Sequence, residues 1–95
     1  MKEIKIERES LDFIEQALAD ILMGEDDTIV YSANFGNGME MDIKVCGCSE
    51  EPAYTEAVLF RNGYEVACSD CMDDILGVWE LEHNGREYAV KVVAK

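Results

Sequence analysis

Four cysteines and a single histidine are the residues whose types first suggest chemistry. Cys46-x-Cys48 and Cys68-x-x-Cys71 resemble the two halves of a four-thiolate zinc site, and Glu50, Glu51, Asp70, Asp73 and Asp74 beside them would favour a bound cation. In a meander, Cys46 and Cys71 would end strands on the same edge of the sheet. Against zinc, Cys-Gly-Cys is a poor match to the usual knuckle spacing. Cys68 also falls inside a strand pattern, facing the core, where a cysteine behaves as a small hydrophobe. A redox role for Cys68-Ser69-Asp70-Cys71 fits less well, since reactive thiols need positive surroundings or a helix N-terminus. No cofactor is therefore expected, with a zinc-stabilised small domain as an alternative. His83 flanks an Asn84-Gly85 turn and is expected to be exposed rather than a catalytic base or ligand.

Carboxylates are abundant, with 21 Asp and Glu against 8 Lys and Arg. Hydrolytic chemistry needs two of them held in different environments within a cleft. Here most acids expected to point outward lie beside other exposed acids. There is no glycine-rich phosphate loop, no serine or cysteine paired with histidine, and no aspartate-rich calcium loop. The chain is not expected to be an enzyme. What stands out is its formal net charge of −13. From Glu9 to Phe60 Lys44 is the one base among twelve acids, and from Asn62 to Gly85 six acids stand without a Lys or Arg. Such a field repels nucleic acid and anionic membranes and attracts basic protein surfaces. Acidity also keeps small proteins soluble, but at this density self-repulsion costs stability.

The elements that must position these residues are legible in outline. Ninety-five residues, 48% of them hydrophobic, suit a single domain spanning 1–95. No apolar run reaches membrane-span length, and Met1-Lys2-Glu3 does not open a signal peptide, so a reducing cytoplasm is the expected compartment. Residues 2–7 alternate as a short strand or ordered arm. In Ser10–Met23, Leu11, Ile14, Leu18, Ile21 and Leu22 recur at helical spacing, with Phe13 and Ala17 widening the stripe, Ser10 as cap and Gly24 as terminator. Glu25-Asp26-Asp27 then forms an acidic connector.

Residues 28–46 read as a hairpin. A three-residue Gly36-Asn37-Gly38 loop sets Phe35 opposite Met39, Ala33 opposite Met41, Tyr31 opposite Ile43 and Ile29 opposite Val45, all on the face expected to meet the helix. A two-residue loop would exchange the faces. Asn62-Gly63 predicts a second hairpin with Leu59 opposite Val66 and Ala57 opposite Cys68. Its other face carries Tyr54, Val58 and Phe60 beside Glu56 and Glu65. Asn84-Gly85 predicts a third, pairing Trp79 with Val90 and Leu81 with Tyr88, while Glu80, Glu82, Glu87 and Lys91 point outward. The sum is an α+β fold with one N-terminal amphipathic helix packed on a curled antiparallel meander sheet of about six strands. One helix cannot cover such a sheet unless it curls, or leaves an apolar flank for a second copy or another protein.

Side chains two apart on a strand lie roughly 6.6 Å apart on one face. Glu40/Asp42 and Glu80/Glu82 therefore make rows of charge spaced like phosphates along a DNA strand, which a Lys/Arg-lined groove cannot readily distinguish from its substrate. In size, acidity and lack of a catalytic motif the chain resembles the DNA-mimic inhibitors of phages and mobile elements, the anti-restriction and anti-CRISPR proteins. That resemblance is one of overall character and assigns no individual residues. It implies a non-enzymatic inhibitor acting in a bacterial host cytoplasm. The partner would be a basic protein surface, such as a CRISPR effector or restriction nuclease, with no direct contact to nucleic acid or membrane. The expected acidic contacts are Glu25, Asp26, Asp27, Glu40, Asp42, Asp73, Asp74, Glu80, Glu82 and Glu87, with Tyr54, Val58 and Phe60 as apolar anchors. The alternative is a small interaction module, dimeric or bound to another partner through an uncovered sheet flank.

Overall fold

The computed structural model describes residues 1–19, 28–47 and 52–95. The alternating pattern at the N-terminus becomes strand β1 (Lys2–Ile6), followed by helix α1 (Arg8–Ala19). Six further strands follow: β2 (Thr28–Gly36), β3 (Met39–Cys46), β4 (Tyr54–Arg61), β5 (Tyr64–Cys68), β6 (Gly77–His83) and β7 (Arg86–Ala94). They do not form the single meander expected. Three strands in the order β1-β7-β6 make one sheet, sheet A, and four in the order β2-β3-β4-β5 make another, sheet B. The meander breaks between β5 and β6, where the link is too long for a tight turn. β1 then closes the first sheet by running parallel to β7, with Ile4 beside Val92 and Ile6 beside Ala94. Since parallel neighbours need a long crossover, the first and last strands of the chain can meet in this way.

One hydrophobic cluster joins the two sheets. Met41, Ile43, Val45, Ala57 and Leu59 come from sheet B, and Trp79, Leu81, Tyr88, Val90 and Val92 from sheet A. The face of β2 and β3 expected to meet the helix thus shares its core with sheet A, and Phe35 sets its ring edge-on to Tyr88 at 5.1 Å. The helix contributes Leu11 and Ile14 to that core, with Leu18 packed against it. It begins at Arg8 rather than after a Ser10 cap: the Leu11 amide already donates to the Glu7 carbonyl at 2.9 Å. Phe13 is 60% exposed and does not widen the stripe, because it lies one residue from Ile14 and so projects to a different side. Ile21, Leu22 and Gly24 lie outside the described residues.

The β2–β3 hairpin keeps the predicted faces by a different route. Asn37 and Gly38 form a two-residue turn with φ of 54° and 78°, the geometry of a type I′ turn. A bulge at Phe35 lies between the pairs Asn34–Glu40 and Gly36–Met39, and it restores the alternation that a bare two-residue turn would invert. Gly36 takes φ of 84° there, and its amide donates to Asn34 Oδ1 at 2.8 Å. Ala33 consequently faces Met41 and Tyr31 faces Ile43, as the hydrophobic pattern demands. A second irregularity between Ile29 and Tyr31 pairs Ile29 with Lys44 instead of Val45, and leaves Ile29 57% exposed.

A bulge also alters the β4–β5 hairpin. Phe60 pairs with Glu65, but the register then shifts past Val66, so Leu59 meets Ala67 and Val58 meets Cys68. The β6–β7 hairpin follows the predicted register throughout, with Trp79 opposite Val90 and Leu81 opposite Tyr88. None of the described helices is long and apolar enough to cross a membrane.

Candidate functional site

The β6–β7 hairpin presents the clearest concentration of predicted site residues. Trp79, Leu81, Tyr88 and Val90 turn inward, so strand alternation sends Glu80, Glu82 and Glu87 to the opposite face, where all three are exposed. Glu82 stands directly across from Glu87, and Glu80 lies two residues further along β6, opposite Ala89. Like charges in a direct cross-strand pair destabilise a sheet. Arg86, the nearest base in sequence, lies on the other face, its guanidinium 5.3 Å from the centre of the Tyr88 ring. Lys2 is likewise drawn to Phe35, 5.7 Å from its centre. Among the described residues, the ion pairs Lys44–Glu56 and Lys95–Glu7 lie elsewhere. The acidic row is bounded rather than continuous: beyond Glu80, Lys91 lies between Val78 and Glu3 on the same face.

The remaining predicted acids are dispersed. Glu40 and Asp42 share a face of sheet B, but Asp42 is half-buried and accepts a hydrogen bond from Ser32 Oγ at 2.7 Å. Next along that face, Lys44 pairs with Glu56 at 3.8 Å and interrupts the row. Asp73 and Asp74 lie on the link between β5 and β6. Asp74 has a structural task, its carboxylate accepting from the Leu76 amide at 3.0 Å and its carbonyl from Thr55 Oγ1 at 2.8 Å. Glu25, Asp26 and Asp27 lie outside the described residues.

The three proposed apolar anchors share one face of β4, as alternation predicts, but they are not an exposed patch. Val58 is 1% exposed, and Tyr54 and Phe60 are half-buried. Val58 and Cys46 are therefore buried apart from the principal core cluster. Residues that do project apolar surface, such as Val78 and Met72, escaped the sequence reading because strand alternation and loop assignment gave them no distinct signal.

The cysteines separate along the same strand. Cys46 pairs with Tyr54 and Cys68 with Val58. These two positions are four residue steps, about 13 Å, apart along β4, whereas sulfurs sharing a zinc ion must each sit about 2.3 Å from it. Cys46 and Cys68 cannot ligate one ion in this fold. Cys68 is exposed rather than turned to the core, because the Val66 bulge moves it to the other face. Cys71 is also exposed, and Cys48 lies outside the described residues. Among the described residues no three of His, Cys, Asp and Glu converge to hold a metal ion. The structure instead links Cys46 to Tyr54. The charge of Cys46 and its hydrogen bond with the phenol, helped by burial and by Glu56 and Cys71, push the Tyr54 pKa up to about 12. His83 pairs with Arg86 beside the last turn and is half-buried rather than exposed, since its parity places it on the inner face with Leu81.

No family model, no curated protein and no solved structure matches this chain.

Proposed function

We propose that this chain is a non-enzymatic binding protein whose outward β6–β7 face engages a cationic protein surface. The phosphate-binding groove of a nuclease, such as a CRISPR effector or restriction enzyme, is the partner that suits it best. The observation carrying this reading is the Glu82–Glu87 cross-strand pair with Glu80 beside it, exposed and held at a cost in stability. Carboxylates two apart on β6, roughly 6.6 Å along the strand, offer a Lys/Arg groove the charge spacing of a phosphate track. The surplus negative field speeds such an encounter and makes it salt-sensitive. Action in a bacterial host cytoplasm, on a phage-encoded inhibitor's target, follows from the same reading.

The test is capture of partners from bacterial lysate at low and high salt, followed by an inhibition assay on any nuclease recovered. The triple variant Glu80→Lys/Glu82→Lys/Glu87→Lys should lose inhibition and flatten its dependence on salt. Full inhibition by that variant, with its salt dependence unchanged, would remove the hairpin face from the mechanism.

A further inference from the structure

β5 and β6 are each the last strand of their sheet, and the segment joining them runs beside a groove of about 520 Å³. Asp70, Met72, Asp74, Val78, Trp79 and Glu80 are among the residues that line it, and the lining includes no Lys or Arg. Met72 and Val78 are each 49% exposed, so the groove offers apolar surface flanked by three carboxylates.

Its walls are fixed by hydrogen bonds. Met72 and Thr55 exchange backbone bonds of 2.7 and 2.9 Å, and the Ser69 amide donates to the Ala57 carbonyl at 2.9 Å. Ser69 Oγ accepts from the Ala57 amide at 2.9 Å. On the other wall, Trp79 Nε1 donates to the Ile75 carbonyl at 3.1 Å and holds the indole in place. A groove formed in advance loses little entropy on binding.

A sheet edge beside a pocket is the arrangement into which an extended segment adds as another strand. A second copy of this chain would bring Glu80 and Glu82 against the same acids, at a net charge of −13 on each partner. The complementary occupant is cationic. We propose that the groove receives an extended partner segment in which Lys or Arg alternates with apolar residues. Its backbone joins the edge of β6, its cations meet the carboxylates from the face that carries Val78 and Glu80, and its apolar residues enter the groove on the face that carries Trp79 and Leu81. This inference does not rest on the nuclease reading, because it concerns the strand edge and is tested without a nuclease.

The experiment titrates the 15N-labelled full chain with three blocked decapeptides, (Val-Lys)5, (Val-Glu)5 and (Gly-Lys)5. Binding of (Val-Lys)5 should perturb amides between Ser69 and His83, while (Val-Glu)5 does not bind. Asp70→Asn/Glu80→Gln should weaken (Val-Lys)5 about fivefold or more. The helix variant Glu9→Gln/Asp12→Asn, which removes equal charge elsewhere, should change it less than twofold. Equal binding by (Gly-Lys)5, with shifts spread over all acidic surfaces, would overturn the proposal in favour of an unspecific field. Absence of (Val-Lys)5 binding would overturn it too, as would a concentration-dependent dimer in light scattering that protects the β6 amides.

Discussion

Glu82 and Glu87 face each other across the last hairpin with no base on their own face between them, and the proposed binding role would set function against stability there. Glu87→Lys converts the repulsion into an attractive pair, and should stabilise the fold by about 0.2–1 kcal/mol in urea denaturation. The same variant should bind a cationic partner more weakly. A variant that gains neither stability nor loses affinity would mean that the pair is electrostatically silent. Tyr54 supplies a second residue-level outcome. Its folded pKa is raised from 10.0 to about 12, so the folded state holds the phenolic proton more tightly than the unfolded chain does. Its contribution to stability is therefore complete below pH 10 and is lost as the pH rises through 12. Tyr54→Phe should abolish a phenolate absorbance step near pH 12 and flatten the decline of the urea midpoint between pH 10 and 12. The acids of the last hairpin were legible in the sequence because alternation alone exposes them. The burial of Val58 was not, because nothing local distinguishes a covered outer face from an open one.

At the scale of elements, Asn-Gly pairs mark all three hairpin turns. Asn37, Asn62 and Asn84 each take positive φ, followed by Gly38, Gly63 and Gly85. The bulges around these turns decide register, and they are harder to read. In β2 the apolar pattern required an odd offset, and the chain supplies it with a two-residue turn and an extra residue at Phe35 instead of a three-residue loop. Deleting Gly36 should remove the bulge but set Phe35 opposite Met39 and leave Ala33 opposite Met41, so Met41 and Ile43 stay inward and cooperative unfolding persists in calorimetry. Loss of a sharp transition would mean that the extra residue is itself needed to hold the strands together. The Val66 bulge carries no such signature, since both faces of β4 are partly apolar and either register is acceptable to the local pattern. The cysteine spacing misled for a related reason: closeness in sequence at Cys68 and Cys71 says nothing of the strand length separating Cys68 from Cys46.

For the whole molecule, a formal charge of −13 means that folding concentrates repulsion. Raising NaCl from 10 to about 200 mM shortens the screening length from roughly 30 Å to under 10 Å. The urea midpoint should therefore rise while the slope of the transition stays constant. A midpoint that falls with salt would show that attractive pairs such as Lys44–Glu56 and Lys95–Glu7 outweigh the repulsion. Salt should act oppositely on capture of a cationic partner, and stability and binding are thus separable in one pair of titrations.

Residue order by itself determined the hydrophobic alternation, the turn positions, the outward row of Glu80, Glu82 and Glu87, and the overall charge, because each follows from neighbours within a few residues. Only the tertiary structure decided that the strands divide into two sheets and that β1 lies parallel to β7. It also decided that the edges of β5 and β6 border a common groove. Those outcomes depend on contacts between chain segments far apart in sequence, whose relative free energies no local pattern encodes.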